Sequence, residues 1–137
     1  MKKILLLTSI LIVEVCSGLY AQSGLDKTKQ KPIDVLPIND VAQTTSGLMG
    51  ILKTKLALSD AQSPKITELL TDFLQSKSGI LSLAKTNPAD YLSKFGAIQN
   101  KLFGGLKTTL SAAQHTKFLG LKPKASDSDN LLNHLFL

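Results

Sequence analysis

The chain is poor in the residues that carry most protein chemistry. Of its 137 residues only one is cysteine and none is tryptophan, and all sixteen basic residues are lysine. A single cysteine, Cys16, excludes an internal disulfide and a thiolate metal cluster. The absence of arginine removes the planar fork that reads phosphates and base edges in pairs. A formal net charge of +6 therefore reads as a solvated lysine surface rather than a nucleic-acid footprint, because the lysines are spread and not massed. Aromatic residues make up 5 %, so a core must come mainly from Leu, Ile and Ala. The length suits one domain.

One long apolar run is present, and it is N-terminal. Met1-Lys2-Lys3 is a positive start, and Ile4 to Val13 is mostly apolar. That run has the length of a signal-peptide core and is too short to cross a bilayer. Residues 1–21 are expected to be a signal peptide cleaved after Ala21. The alternative cut follows Gly18, because Leu19 is large for its place. Glu14 and Val15 precede Cys16 where a lipidated cysteine needs small neutral residues, so cleavage removes the thiol. The expected location is periplasmic or secreted, with no membrane span in the mature chain. Losing Lys2, Lys3 and Glu14 leaves 14 Lys against 9 acids, a net charge of +5.

Residues 22–39 are polar and Lys-rich, broken by Pro32 and Pro37, and read as a flexible leader. A single helical domain is expected over 40–137. Asp40 and Gln43 form a capping-box pattern before Val41, Thr45, Leu48, Ile51, Leu52 and Leu56, which recur at helical spacing. Gly47 and Gly50 weaken that helix or admit a close neighbour. A second helix is expected from the region of Leu58 to about Ala84, with Ile66, Leu69, Leu70, Phe73, Leu74, Ile80, Leu81 and Ala84 as its stripe. Its late lysines, Lys77 and Lys85, suit the helix dipole. Asn87-Pro88-Ala89-Asp90 is a stop and restart. Tyr91, Phe95, Ile98, Leu102, Leu106 and Leu110 then form a third stripe, with a kink expected at Gly104-Gly105. A fourth helix follows and should end with Gly120 in the left-handed conformation and Pro123 beyond it. Residues 122–128 are a linker to a short last helix with Leu131, Leu132, Leu135 and Phe136 as apolar positions. No segment alternates as a strand does. The fold expected is all-α, a small bundle or hairpin array of four to five helices.

Two stretches repeat at an offset of 52 residues: Leu-Ser-Asp-Ala-Gln at Leu58–Gln62 and Leu-Ser-Ala-Ala-Gln at Leu110–Gln114. Extended to twelve positions, the copies share six identities. Physically each copy is a helix start. Ser59 and Ser111 are N-caps, Gln62 and Gln114 return a bond to the cap amide, and Leu58 and Leu110 anchor the approach in the core. Pro64 allows a second register for the first copy, with the regular helix opening at Ser63.

This paired Leu-Ser-x-x-Gln motif, in a small helical protein with a signal peptide, resembles the LTxxQ-motif proteins of the Spy/CpxP type over roughly residues 40–120. That resemblance implies a periplasmic protein linked to envelope stress. It also implies a helical homodimer and chaperone-like holding of unfolded or envelope proteins without ATP. Phe73, Phe95, Phe103 and Phe118 are the residues for an apolar client face, or else core. The motif residues would be architectural.

Other chemistry is scarce. The mature chain offers two histidines, His115 and His134, nineteen residues apart in different elements. His115 shares a stripe with Phe118, and His134 sits at a helix end, so neither is expected to bind metal. No serine stands in a nucleophile elbow, and Glu68 and Asp72 read as solvated surface. No catalytic residue, cofactor or nucleic-acid partner is expected. Two alternatives from other classes are a closed helical interaction module of the envelope and a small lipid-binding protein.

Overall fold

In the computed structural model, residues 31–137 are described; the expected signal peptide, Cys16 and the first part of the leader lie outside them. The chain forms α1 (Val41–Leu56), α2 (Ser63–Ser78), α3 (Leu83–Thr86), α4 (Pro88–Thr109), α5 (Ala112–Leu119) and α6 (Asn133–Phe136). No strand occurs among the described residues. The fold is all-α.

Local chemistry sets most of the boundaries. Asp40 caps α1 by accepting the Gln43 N–H at 3.0 Å, the half of the expected box that forms. α1 ends at Ala57, whose φ of 51° is left-handed. Its N–H donates back to the Lys53 carbonyl, as does that of Leu58 at 3.2 Å. Asn87 stops α3 and caps α4, accepting from Asp90 N–H at 3.4 Å, with Pro88 in the first turn where no donor is missed. α5 opens on a complete capping box of Ser111 and Gln114.

Three expectations are corrected. The second helix does not run to Ala84. It ends at Ser78, and successive three-residue turns through Ile80 to Ala84 lead into α3. α4 is continuous through Gly104-Gly105 rather than broken. A Cβ at Gly105 would lie 2.5 Å from Leu69 Cδ2, so that glycine lets α2 press against α4. Gly120 is right-handed, φ −72°, because its N–H and that of Leu121 close an ordinary turn onto Thr116 and Phe118.

The helices pack α1 on α2, α2 on α4 and α1 on α5. Leu48, Leu52, Ile66, Leu70, Leu74, Tyr91, Leu106, Phe118 and Leu135 are fully buried, each contributing about 1.5–3 kcal/mol of apolar transfer. Residues 31–39 differ from the free leader expected. Ile33, Val35 and Ile38 pack against the core, and Ile33 N–H donates to the Ala84 carbonyl at 2.9 Å. Apolar side chains spaced at 33, 35 and 38 explain the docking.

Candidate functional site

The two motif copies meet. In each, the cap amide fixes how the glutamine is turned. Ser59 N–H donates to Gln62 Oε1 at 3.0 Å, and Ser111 N–H donates to Gln114 Oε1 at 3.0 Å. With each oxygen held locally, each Nε2 faces outward. Gln62 Nε2 donates to Gln114 Oε1 at 2.8 Å, and Gln114 Nε2 donates to Gln62 Oε1 at 3.2 Å. The amides therefore form a reciprocal pair.

The same nitrogens close the opposite hairpin. Gln62 Nε2 donates to the Thr109 carbonyl at 2.9 Å, at the end of α4. Gln114 Nε2 donates to the Leu56 and Ala57 carbonyls at 3.2 and 3.3 Å, at the end of α1. Thr109 and Ala57 are equivalent positions, each immediately before a motif leucine. Helix C-termini carry orphan carbonyls, and here each is satisfied by the start of a helix from the other half. Leu58 and Leu110 are buried at 7 % and 6 % exposure beneath the pair. The two Ser–Gln pairs thus form one clasp. The first copy departs from a regular helix start: residues 60–62 are turns, and α2 proper opens at Ser63 with Pro64 in its first turn.

Phe73, Phe95 and Phe118 are buried, and Phe103 is partly buried. They do not form one open face. Phe95 stacks on Tyr91 at 5.7 Å and meets Phe73 edge-on at 6.1 Å. Phe103, Phe118 and Phe136 make a second cluster, with centroids 5.2 to 5.7 Å apart.

Against Phe95 of the first cluster lies a polar group that sequence reasoning placed at the surface. Lys77 is 1 % exposed. Its Nζ lies 4.8 Å from the Phe95 centroid and donates to the His134 carbonyl at 2.8 Å and to a main-chain oxygen of Leu137, the last residue of the sequence. No Asp or Glu among the described residues pairs with it. Burial pushes its pKa down to about 7. His134, expected at a helix end, is 2 % exposed, and its Nδ1 has no hydrogen-bond partner. Burial first, and the neighbouring Lys77 charge second, lower it to about 4. Tyr91 is raised to about 12 by burial. Its hydroxyl is 3.5 Å from the same Leu137 oxygen, while Gln99 Nε2 donates to the Leu135 carbonyl at 2.7 Å. A signal for Lys77 was present: it falls three residues after Leu74, on the stripe of Ile66, Leu70 and Phe73.

His115 is half-buried on α5. Among the described residues no group of three or more His, Cys, Asp or Glu is placed to hold a metal ion. Glu68 is exposed and pairs with Lys65 at 2.9 Å. A notch of about 40 Å³ between α2 and α4 is lined by residues such as Leu69, Phe73, Ile98 and Leu102. Against known protein families, curated proteins and solved structures the chain has no match.

Proposed function

We propose that this chain is a non-catalytic, exported helical binding protein that holds apolar segments of unfolded or envelope polypeptides without ATP. This is the role implied by the resemblance of its paired motifs to the Spy/CpxP-type proteins. The observation that carries the reading is the clasp. Gln62 and Gln114 pair across the two hairpins, so the two copies act as one architectural device rather than as two unrelated helix starts. No helix among the described residues is long and apolar enough to cross a membrane. The reading is tested by light scattering of an aggregating client. Suppression at stoichiometric amounts of the mature protein supports it, and unchanged aggregation sinks it.

A second reading, a closed interaction module, is favoured by the burial of Phe73, Phe95 and Phe118. An apolar-surface dye separates the two. A module that stays closed leaves the dye dark, whereas a protein that opens to hold clients brightens it.

A further inference from the structure

Residues 131–137 are held in an unusual manner for a piece of core. Their main chain is gripped by side chains from other helices. Lys77 on α2 donates to the His134 carbonyl and to a main-chain oxygen of Leu137, Gln99 on α4 donates to the Leu135 carbonyl, and the Tyr91 hydroxyl approaches the same Leu137 oxygen. Their apolar side chains pack into the core, where Leu132 and Leu135 are buried. Phe136 stacks on Phe118 at 5.6 Å and meets Phe103 edge-on at 5.7 Å. Leu131 lies over Gly47 of α1, where an added Cβ would come within 2.9 Å of it. Side chains of α2, α4 and α5 and the bare backbone of α1 at Gly47 therefore converge on one short peptide.

The fit is to the backbone and to apolar bulk, not to this particular set of side chains. The His134 ring is buried with Nδ1 unpartnered, which a seat shaped for histidine would not leave. The segment also has little structure of its own to keep it there. α6 has four residues, far below the length at which a helix holds itself. The stretch before it, 121–130, is mostly exposed. Beyond Leu121, which packs on the core, its ties run to α6, with Asn133 Nδ2 donating to the Asp127 and Ser128 carbonyls at 2.6 and 3.1 Å. An open cleft of about 380 Å³ runs along one side of the segment, bordered by Val35, Pro37, Ala125 and Leu137 among others.

We propose that this seat is a peptide-binding site, that residues 131–137 are its internal occupant, and that its external ligand is another short polypeptide segment with a Leu-x-x-Leu-Phe-like apolar edge and free main-chain carbonyls. Recognition through carbonyls and aromatic stacking tolerates many sequences, which suits a binder of varied segments. The identity of the external ligand rests on the polypeptide-holding reading above; the occupancy of the seat does not. A tethered occupant competes at an effective concentration on the order of millimolar, so the intact protein takes outside peptide weakly.

The probe is a fluorescein-labelled peptide with the sequence of residues 130–137, followed by polarisation against the full mature chain. A double variant, Leu135→Ala with Phe136→Ala, weakens the internal occupant and leaves the seat untouched. It should bind the peptide at least about tenfold more tightly than the wild type, and adding Lys77→Met should remove most of that gain. A folded double variant that binds no better than the wild type overturns the proposal. Should the double variant fail to fold, hydrogen exchange of the wild type decides. Amides of 132–137 that exchange through a local opening, insensitive to low denaturant, support a displaceable segment. Amides that exchange only with those of Leu70 to Leu74 show that the segment is core and overturn it. Peptide binding without suppression of client aggregation would remove the chaperone-like reading and leave the site, and suppression without peptide binding would do the reverse.

Discussion

Gln62 and Gln114, fifty-two residues apart in the chain, donate to one another through their side-chain amides at 2.8 and 3.2 Å. Each is also the acceptor for its own helix cap and the donor to a helix end in the opposite half. Truncating either one therefore strands partly buried carbonyls as well as losing bonds, and that asymmetry sets the size of the effect. Gln62→Ala and Gln114→Ala should each lower stability by about 2 kcal/mol. The double variant should fall short of the sum by about 1 kcal/mol, because the shared pair is lost only once. Urea denaturation of the four proteins gives the cycle, and strict additivity would show that the pair is geometric contact without coupling.

The buried cluster predicts an unusual response to pH. Lys77 is lowered to about 7, so between pH 7 and its ordinary 10.5 the unfolded chain binds a proton that the folded chain does not. Stability should rise with pH across that window. His134, lowered to about 4, acts in the same sense on the acid side: stability falls as pH drops from 6.5 toward 4. Tyr91, raised to about 12, reverses the trend above pH 10. The stability maximum should lie near pH 10, and Lys77→Met should flatten the rise between pH 7 and 10. Denaturation midpoints collected from pH 4 to 11 test this, and a wild-type plateau from pH 7 to 10 contradicts it.

Much of this arrangement could be read in the sequence, because the signals were local. Asn87-Pro88 placed the start of α4, and Ser111 with Gln114 placed that of α5. The stripe of Tyr91, Phe95, Leu102, Leu106 and Leu110 gave the buried face of α4. What escaped was whatever depends on two distant segments. A capping glutamine shows in sequence only the bond its oxygen makes; where its nitrogen points depends on the other half of the molecule. Lys77 was assigned to the surface by residue type although its position followed the apolar stripe, and position prevailed because the aromatic ring and the main-chain oxygens of residues 134 and 137 were there to receive it. Ile33, Val35 and Ile38 were masked by the prolines and lysines around them.

Adjacent glycines in α4 should respond in opposite ways. A Cβ at Gly104 meets nothing within 4 Å, so Gly104→Ala should stabilise by about 0.5–1 kcal/mol through helix propensity and a less free unfolded chain. At Gly105 the same Cβ meets Leu69 Cδ2 at 2.5 Å and Cδ1 at 2.9 Å. Moving the whole end of that side chain outweighs the propensity gain, and Gly105→Ala should destabilise by about 1 kcal/mol. Thermal melts of the two variants decide it, and a shift of the same sign in both would show that α2 yields freely.

Ala57 holds φ 51° at the end of α1, a conformation that costs an L-residue about 1 kcal/mol or more and glycine almost nothing. Ala57→Gly should raise stability by about 0.5–1 kcal/mol. Because the Ala57 carbonyl also receives Gln114, the gain should shrink in a Gln114→Ala background, where the turn is no longer pinned. Chemical denaturation of both pairs checks this, and equal gains would separate the turn from the clasp.

The crosswise reach of the two glutamines has a consequence for how the molecule comes into being. Neither half finishes its own helices: the carbonyl end of α1 waits for residue 114, and that of α4 waits for residue 62. A nascent chain that has made only its first hairpin carries an unfinished corner until the second arrives. Completion is thus mutual, and a chain severed in the turn after Ser78 should yield two fragments that are each poorly ordered alone and regain order on mixing.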